Sequence, residues 1–420
     1  MNKQGRLFLF TAEYPFGKGE TFIEEELLFL EARFPKVTIV TKATNTTEKR
    51  ILPENIDVVL FDEALSLTQK ISALTGAFNK TFIEEILFCG RYYHNGISRQ
   101  MINTALVSLY RAHLLEVFML KTFPECIQSP ATVLYSYWAD DFAVGLAMIK
   151  DKGYKAKTVT RAHRWDVYCE KNGSGYLPYR KLLAERLDLY SFISENGKTY
   201  TSQLLKKEYP SMSVHRLGVQ QLVPSMEVVP IENSLRILSC SAVIPRKQVA
   251  KIAEALMFMP DYVSVTWTHI GGGPLLGELE KQCFSIAKTK PNITCVLLGN
   301  LTNTQVKTFY KTNSVDLFIN VSESEGVPVS IMECMSVGVP ALATDVDGNS
   351  EIVVDGYNGY LLQKQPTPQA IANSLMNVIE LKEERKQLLK KNALNTWSTK
   401  YNATSNYDKF ARILNALING

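Results

Sequence analysis

Two glutamates, Glu325 and Glu333, stand in the stretch "SESEGVPVSIMECMSVGVP", residues 322–340. Ahead of them runs "VDLFINV", rich in β-branched and aromatic residues and read as a buried strand. Pro328 suits the first turn of a following helix, where its absent N–H would lack a partner anyway, and Gly338 suits that helix's C-terminal cap. Glu325 then falls on the loop at the carboxyl end of the strand, and Glu333 lies about one and a half turns into the helix. A helix start offers unbonded N–H groups that attract phosphate, while carboxylates accept hydrogen bonds from hydroxyls. Phosphate between two sets of hydroxyls describes a nucleotide sugar. The competing reading is a pair of solvated acids; the flanking strand, glycine, proline and the following "GVPALATD" weigh against it.

Elements on both sides must hold such a loop in place. The chain opens with a strand at 6–10, a loop carrying Gly17 and Gly19, a helix in "TFIEEELLFLEARF" and a strand in "KVTIVT". In that opening, Glu20 and Thr21 read as helix starters, with Thr21 as a cap. The stretch 65–123 reads as mostly helical, and "MINTALVSLYRAHLLEVFMLKTF" within it reads as a buried or half-buried helix, with a lipid-facing surface as the alternative. "ATVLYSYW", "AKTVTRAH" and "LDLYSFIS" read as further strands, and "QQLVPSMEVVPIENS", with its two prolines, as a linker. Beyond it the βα rhythm restarts with "LRILSCSA", "SVTWTHIG", "NITCVLLG", "VDLFINV", "PALAT" and "YLL", and the chain ends in charged helices. Two parallel α/β layers follow, and such open sheets bind ligands in the loops at the carboxyl ends of their strands.

The bulk composition narrows the partners. A net charge of +4 on 420 residues gives no case for nucleic acid. The seven cysteines lack a Cys-x-x-Cys or metal-like spacing, which suits a reducing compartment and small core residues. "MNKQGRLFLFTAEYPFG" has neither the apolar run nor the cleavage site of a secretory signal, and no apolar run approaches the roughly 20 residues needed to span a bilayer. The expected location is cytoplasmic, with peripheral contact at the inner face of a membrane left open. No Gly-x-Gly-x-x-Gly opens either half, which argues against a dinucleotide oxidoreductase.

The stretch from Phe318 to Leu362, "FINVSESEGVPVSIMECMSVGVPALATDVDGNSEIVVDGYNGYLL", resembles the retaining glycosyltransferases of family 4, in the branch that builds bacterial exopolysaccharides. That resemblance implies the GT-B fold: two Rossmann-like domains facing across a cleft, with a C-terminal helix crossing back to the first. The expected boundaries are an acceptor-binding domain over 1–225, a nucleotide-sugar-binding domain over 232–395 and a returning helix over 396–420. By the same resemblance Glu325 would contact the transferred sugar and Glu333 the donor ribose. The amides of Gly326, Val327, Pro328 and Val329 (Pro328 by position only) would lie near the sugar and diphosphate.

Other segments carry the resemblance further. In "SCSAVIPRKQV", Lys247 matches the family lysine that neutralises the diphosphate. Ala242 stands where the family arginine is usual, and Arg246 would supply the missing charge. "THIGGGPLLGELEK" is similar to the family's Gly-x-Gly-Pro turn, in which Gly272 lets backbone approach the donor, although a purely structural turn fits equally. "LLGNLTNTQV" resembles the segment bordering the donor base, so Leu298 to Leu301 would line that pocket. "TRAHRWDVYCE" resembles the family's His-x-x-Asp element, placing His163 on the donor sugar or leaving group. "AEYPFGKGETFIEEE" resembles the N-terminal glycine loop, in which Gly17 and Gly19 would let backbone near the phosphates or acceptor, with charge from Lys18.

The expected activity is therefore retaining transfer from a nucleoside diphosphate sugar to a glycan or lipid-linked acceptor, with His163, Glu325 and Lys247 carrying the chemistry and no metal or cofactor. The competing enzyme readings are a nucleotide-sugar epimerase or a phosphorylase of the same fold. The non-enzyme reading is a binding subunit that lost turnover, for which Ala242 is the hint. Donor sugar, base, acceptor and linkage are not legible.

Overall fold

The structure is a computed structural model, and it describes residues 5–17, 19–20, 22–42, 48–62, 79–92, 96–223, 231–346 and 348–419. The chain divides into two compact units, residues 1–216 with 405–420, and residues 217–404. Lys18, Thr21 and the central part of the proline-bearing linker lie outside the described residues.

In unit 1 the strands are β1 (Arg6–Thr11), β2 (Lys36–Lys42), β3 (Ile56–Phe61), β4 (Thr132–Ser136), β5 (Lys157–Ala162), β6 (Leu189–Phe192) and β7 (Met212–Val214). They form one parallel sheet in the order β3-β2-β1-β4-β5-β6-β7. Alternation along β1 dictates two cores. Leu7 and Leu9 point to one face, where helix Ile23–Arg33 and the C-terminal helix pack, while Phe8 and Phe10 point to the other, with helices Arg99–Thr122 and Asp141–Asp151. Strand β3, "IDVVLF", is an addition to the strands read from sequence. Its exposed Asp57 and Leu60 belong to a sheet edge, where one face is poorly covered and the apolar signal is diluted.

The long helix Arg99–Thr122 buries Met101, Ala105, Leu109, Ala112, Leu115 and Met119, which fits its reading as a packed helix. Ser98 caps it, accepting from the Met101 amide at 3.1 Å.

Unit 2 contains β8 (Ser234–Cys240), β9 (Ser264–Ile270), β10 (Ile293–Leu297), β11 (Leu317–Asn320), β12 (Ala341–Thr344) and β13 (Gly359–Leu362). All are parallel, in the order β10-β9-β8-β11-β12-β13. Helix Val329–Ser336 follows β11 with Pro328 as its N-cap, and Gly338, at φ +74°, closes it by donating to the Met335 carbonyl at 3.0 Å.

Both sheets have a point where the connections turn from one direction to the other, between β1 and β4 in unit 1 and between β8 and β11 in unit 2. Loops leaving the carboxyl ends of such strand pairs diverge and leave a crevice for ligands. This topology selects the loops 12–20 and 137–140 in unit 1, and 241–248 and 321–328 in unit 2.

The two compact units divide at 216/217 and 404/405. Residues 217–222 and 397–403 run together inside unit 2. The Val219 amide donates to the Tyr401 carbonyl at 2.9 Å, the Ala403 amide to the Val219 carbonyl at 3.1 Å, and the Trp397 indole to the Val219 carbonyl at 3.0 Å. From Ser405 on, the last helix belongs to unit 1. It seats Phe410, Ala411 and Leu414, all fully buried, and each large side chain so buried contributes about 1.5–3 kcal/mol. The Phe410 ring lies 4.0 Å from the Arg161 guanidinium, which forms a buried ion pair with Glu26.

Candidate functional site

In unit 2 the two loops at the β8/β11 switch point meet through charge. Glu325, 5% exposed, accepts from Lys247 Nζ, from Ser322 Oγ at 2.6 Å and from Asn320 Nδ2 at 3.2 Å. Burial alone would raise its carboxyl. The Lys247 ammonium and the two further donors outweigh that and hold it below the usual carboxylate range. The expected pair of residues, Lys247 and Glu325, is thus brought together from positions 78 apart in the chain. The sequence reading had them serving different parts of a ligand; here they also neutralise each other.

Arg246 has a more structural part than expected. Its guanidinium donates to the Ser324 carbonyl at 3.0 Å, its own carbonyl accepts from the Glu323 amide at 2.9 Å, and Glu325 Oε2 lies 3.9 Å away. It ties the 241–248 loop to the 321–328 loop.

The helix that starts at Val329 leaves its first amides without intrahelical acceptors. Among the described residues, the amides of Gly326, Val327, Val329 and Ser330 donate to no backbone carbonyl. Gly348, from the loop after β12, presses against this turn: a Cβ there would stand 1.2 Å from the Gly326 carbonyl oxygen. Glu333 lies on the same helix near Cys240, at the end of β8. Burial, and then the Glu333 carboxylate, push the Cys240 thiol up to about 12, with Lys247 pulling the other way. That thiol stays protonated and is no nucleophile.

The loop after β9 needs its glycines. Gly271 and Gly273 have φ of +139° and +154°, and a Cβ on Gly271 would stand 1.9 Å from the Ser241 carbonyl oxygen. Gly272 gives its amide to Asn300 Oδ1 at 2.7 Å, so this amide is already used in holding the loop after β10. In that loop Leu298 is 38% exposed and Leu301 half-buried, at the carboxyl end of β10, on the edge of the sheet. Beneath it, His269 is fully buried, its Nδ1 2.8 Å from Ser239 Oγ, and burial lowers it to about 4, so it is a neutral core histidine.

In unit 1, His163 sits just past β5, 7% exposed. Its ring stacks on Tyr137 at 4.8 Å and lies 4.4 Å from Trp138, the two residues that follow the neighbouring strand β4. Among the described residues neither ring nitrogen has a hydrogen-bond partner; Asp166 Oδ2 is 3.7 Å from Nδ1. Asp166 instead organises the backbone, accepting from the amides of His163 at 2.8 Å, Arg164 at 3.0 Å and Ala139 at 3.0 Å. Burial acts to raise the Asp166 carboxyl, but the neighbouring His163 and those amides hold it below its usual range.

The N-terminal glycine loop corrects one expectation and adds a residue. Glu20 does not start a helix. It has φ +52°, the helix begins at Ile23, and its carboxylate accepts from the amides of Ala12 at 3.1 Å, Glu13 at 2.8 Å and Tyr14 at 2.7 Å, and from the Trp138 indole at 2.5 Å. The side chain that fixes Trp138 against His163 is therefore Glu20, and nothing in its sequence spacing separates it from an ordinary first-turn acid. The carbonyls of Gly17 and Gly19 accept from Arg50 NH2 at 3.2 and 2.7 Å, and a Cβ on Gly19 would strike Glu13 Oε1 at 1.8 Å. These glycines fit the loop to Glu13 and Arg50.

Glu20→Gln should lower the thermal midpoint by several degrees. It puts an NH2 group among N–H donors and removes charge-assisted bonds, of which each contributes about 1.5–3 kcal/mol. The accompanying shift in tryptophan emission would report the released Trp138. An unchanged midpoint and spectrum would show that Glu20 is not the organiser of this loop.

Among the described residues, no group of three or more His, Cys, Asp or Glu is placed to hold a metal ion. No described helix is long and apolar enough to cross a membrane.

Comparison with known proteins bears on the second unit above all. Residues 226–395 match the family "Glycosyl transferases group 1". Over 262 residues the chain is 25% identical to the GtfA subunit of a UDP-N-acetylglucosamine–peptide N-acetylglucosaminyltransferase of Streptococcus agalactiae, covering 59% of this chain and 50% of that one. It is 26% identical over 171 residues to an Escherichia coli α-1,3-galactosyltransferase named for UDP-Gal and α-D-GlcNAc-diphosphoundecaprenol, covering 39% and 41%. The chain thus spans about half the length, or less, of these curated relatives. Among solved structures, Anabaena HepE in complex with UDP aligns over 98% of this chain and 100% of its own, with a TM-score of 0.63 at 16% identity. That likeness establishes the fold: two parallel-sheet α/β domains of the GT-B type.

Proposed function

We propose that this chain is a retaining glycosyltransferase that moves a sugar from a nucleoside diphosphate sugar to a hydroxyl of a glycan or lipid-linked acceptor in bacterial surface polysaccharide synthesis. The observation that carries the reading is the convergence at the β8/β11 switch point of Lys247, Glu325 and the unbonded amides ahead of helix Val329–Ser336. Phosphate suits the amides and the lysine, and sugar hydroxyls suit the carboxylates. The names of relatives from teichuronic acid, O-antigen and amylovoran biosynthesis support a role in polysaccharide synthesis.

In the reaction, the bond between the anomeric carbon and the diphosphate oxygen breaks and negative charge grows on the diphosphate. Lys247 and the helix-start amides stabilise that charge as it develops, which is commonly the largest single contribution to catalysis. The acceptor oxygen bonds to the anomeric carbon from the same face, and its proton passes to a diphosphate oxygen. Glu325 holds the sugar hydroxyls, Glu333 holds the ribose, and His163 orients the sugar or leaving group. No metal enters this scheme, and no side chain is assigned as a covalent nucleophile.

Incubation with UDP-, GDP- and ADP-sugars tests the reading, with release of the nucleoside diphosphate and a rise in thermal midpoint as readouts. At least one donor should give both, and the product should keep the donor's anomeric configuration by NMR. A 2-epimerised donor or phosphate-dependent cleavage would move the assignment to an epimerase or phosphorylase. Stabilisation without any turnover would leave a binding subunit.

A further inference from the structure

Helix Leu276–Thr289 and the edge strand β10 that follows it bring two cysteines together in unit 2. On the helix, Leu279, Cys283 and Ile286 form the buried stripe, with the four- and three-residue spacing of one helix face. On the strand, alternation puts Ile293, Cys295 and Leu297 on one side. All six belong to, or pack against, one apolar cluster, so the two thiols share the seam between helix and strand. Cys283 is buried, Cys295 is half-buried, and both are free thiols. Beyond β10 the sheet has no further strand, which leaves Cys295 reachable from the edge.

The two sulfurs differ in character. Hydrogen bonding with the Cys295 thiol holds Cys283 below the usual thiol range, against burial and the Glu280 carboxylate. Cys295 is pushed up in return, first by the same contact and then by burial. Cys283 is therefore the readier thiolate, and Cys295 keeps its proton.

Other thiols of the chain are driven the opposite way. Burial raises Cys89 and Cys240 to about 12 and Cys334 well above its ordinary value, which keeps all three protonated and inert. A thiolate beside a protonated thiol instead reacts with a two-electron oxidant and then closes onto its neighbour. The proposed sugar transfer uses neither Cys283 nor Cys295.

The geometry points to a reversible disulfide between Cys283 and Cys295, formed by reaction with a hydroperoxide. With hydrogen peroxide, the Cys283 sulfur attacks one oxygen, the O–O bond breaks, and the departing hydroxide is protonated to water. The Cys295 sulfur then attacks the Cys283 sulfenic acid: the S–O bond breaks, the S–S bond forms, and a second water carries off the Cys295 proton. Together the thiols lose two electrons and two protons, and the peroxide is reduced to two waters. In a reducing compartment such a bond is transient and is opened again by a thiol or dithiol reductant. While it lasts it fastens β10, and with it the loop that starts at Leu298, to the helix. That loop is already tied to the loop after β9 through the Gly271 amide, which donates to the Gly299 carbonyl at 2.8 Å.

Peptide mapping of the full chain after brief treatment with hydrogen peroxide tests this. Trypsin places the two cysteines in separate peptides, 282–288 and 289–307, so the disulfide joins them into one species that dithiothreitol splits. That species should be the main oxidation product, with two of the seven thiols lost and both recovered on reduction. In Cys295→Ala, Cys283 should be captured as the sulfenic acid by dimedone. In Cys283→Ala, oxidation of Cys295 should slow about tenfold. Thermal melts of the reduced variants establish that they are folded, and the wild-type map decides alone where one is not. Oxidation that falls first on other cysteines, the two peptides recovered as unlinked thiols, or cross-links only between chains would overturn the inference. The test involves no nucleotide sugar, so its outcome is independent of the transferase reading.

Discussion

Replacing Lys247 with methionine is expected to reduce sugar transfer by about 100-fold or more and, in the same step, to destabilise unit 2. The two effects have one origin. Lys247 is the nearer cation at the Glu325 carboxylate, which is 5% exposed and otherwise has a hydroxyl, an amide and, at 3.9 Å, the Arg246 guanidinium for partners. Methionine keeps the length and apolar stem but leaves a buried charge with only the more distant Arg246 as counter-ion. Breaking such a pair costs about 3–5 kcal/mol, and the remaining Ser322 and Asn320 donors place this one at the low end.

The pH dependence gives this prediction its sign. Glu325 has its carboxyl below its ordinary value of 4.5 in the folded chain, so it contributes stability that is present above that value and lost as pH falls through the folded one. In the methionine variant burial acts without Lys247, and Glu325 takes up a proton as the solution is acidified. The stability gap between wild type and variant should therefore be widest near neutral pH and close toward pH about 4. Adding Glu325→Gln to the methionine variant should return most of the stability and none of the transfer. Denaturant melts across pH, with donor turnover at neutral pH, read both. Near-normal transfer in the single variant, or a gap that does not change with pH, would remove Lys247 from the site.

Much of this site was legible because it is built on local patterns. The strand "VDLFINV", the loop glutamate, Pro328 and Gly338 are each interpretable within a few residues, and all four stand in the structure as the strand β11, its loop, the N-cap and the closing turn. What local pattern cannot give is the meeting of distant loops. Lys247 and Glu325 are joined only because β8 and β11 are neighbours in the sheet, and that adjacency is a property of strand order. Glu20 failed for a related reason. An acid just ahead of an apolar helix is ordinarily a dipole-compensating residue. Only the backbone turn at φ +52° reverses its side chain onto the amides of residues 12–14. Strand β3 was missed because an edge strand carries a weak apolar signal. The packing part of Gly17 and Gly19 was not legible because the residues they meet, Glu13 and Arg50, are not marked by spacing.

His163→Ala should show the opposite coupling between activity and stability. Transfer is expected to fall by about 100-fold or more, as for the loss of one group that acts on developing charge, while the thermal midpoint holds or rises. In the folded chain the imidazole is 7% exposed and, among the described residues, neither nitrogen has a hydrogen-bond partner; a buried polar group so placed costs about 1–3 kcal/mol, against which stands its attraction to the Asp166 carboxylate 3.7 Å from Nδ1. The loss of ring contacts with Tyr137 and Trp138 works against that gain, so the net change is small. The loop itself does not depend on the imidazole, because Asp166 holds it through backbone amides and Arg180 through backbone carbonyls. Asp166→Ala is the contrast: it strips three amides of their acceptor and should lower both stability and transfer. On the proposed assignment, Lys247 is a functional residue that the fold also uses, and His163 is one that the fold tolerates. A His163→Ala protein that melts several degrees lower with transfer intact would make the histidine a packing residue.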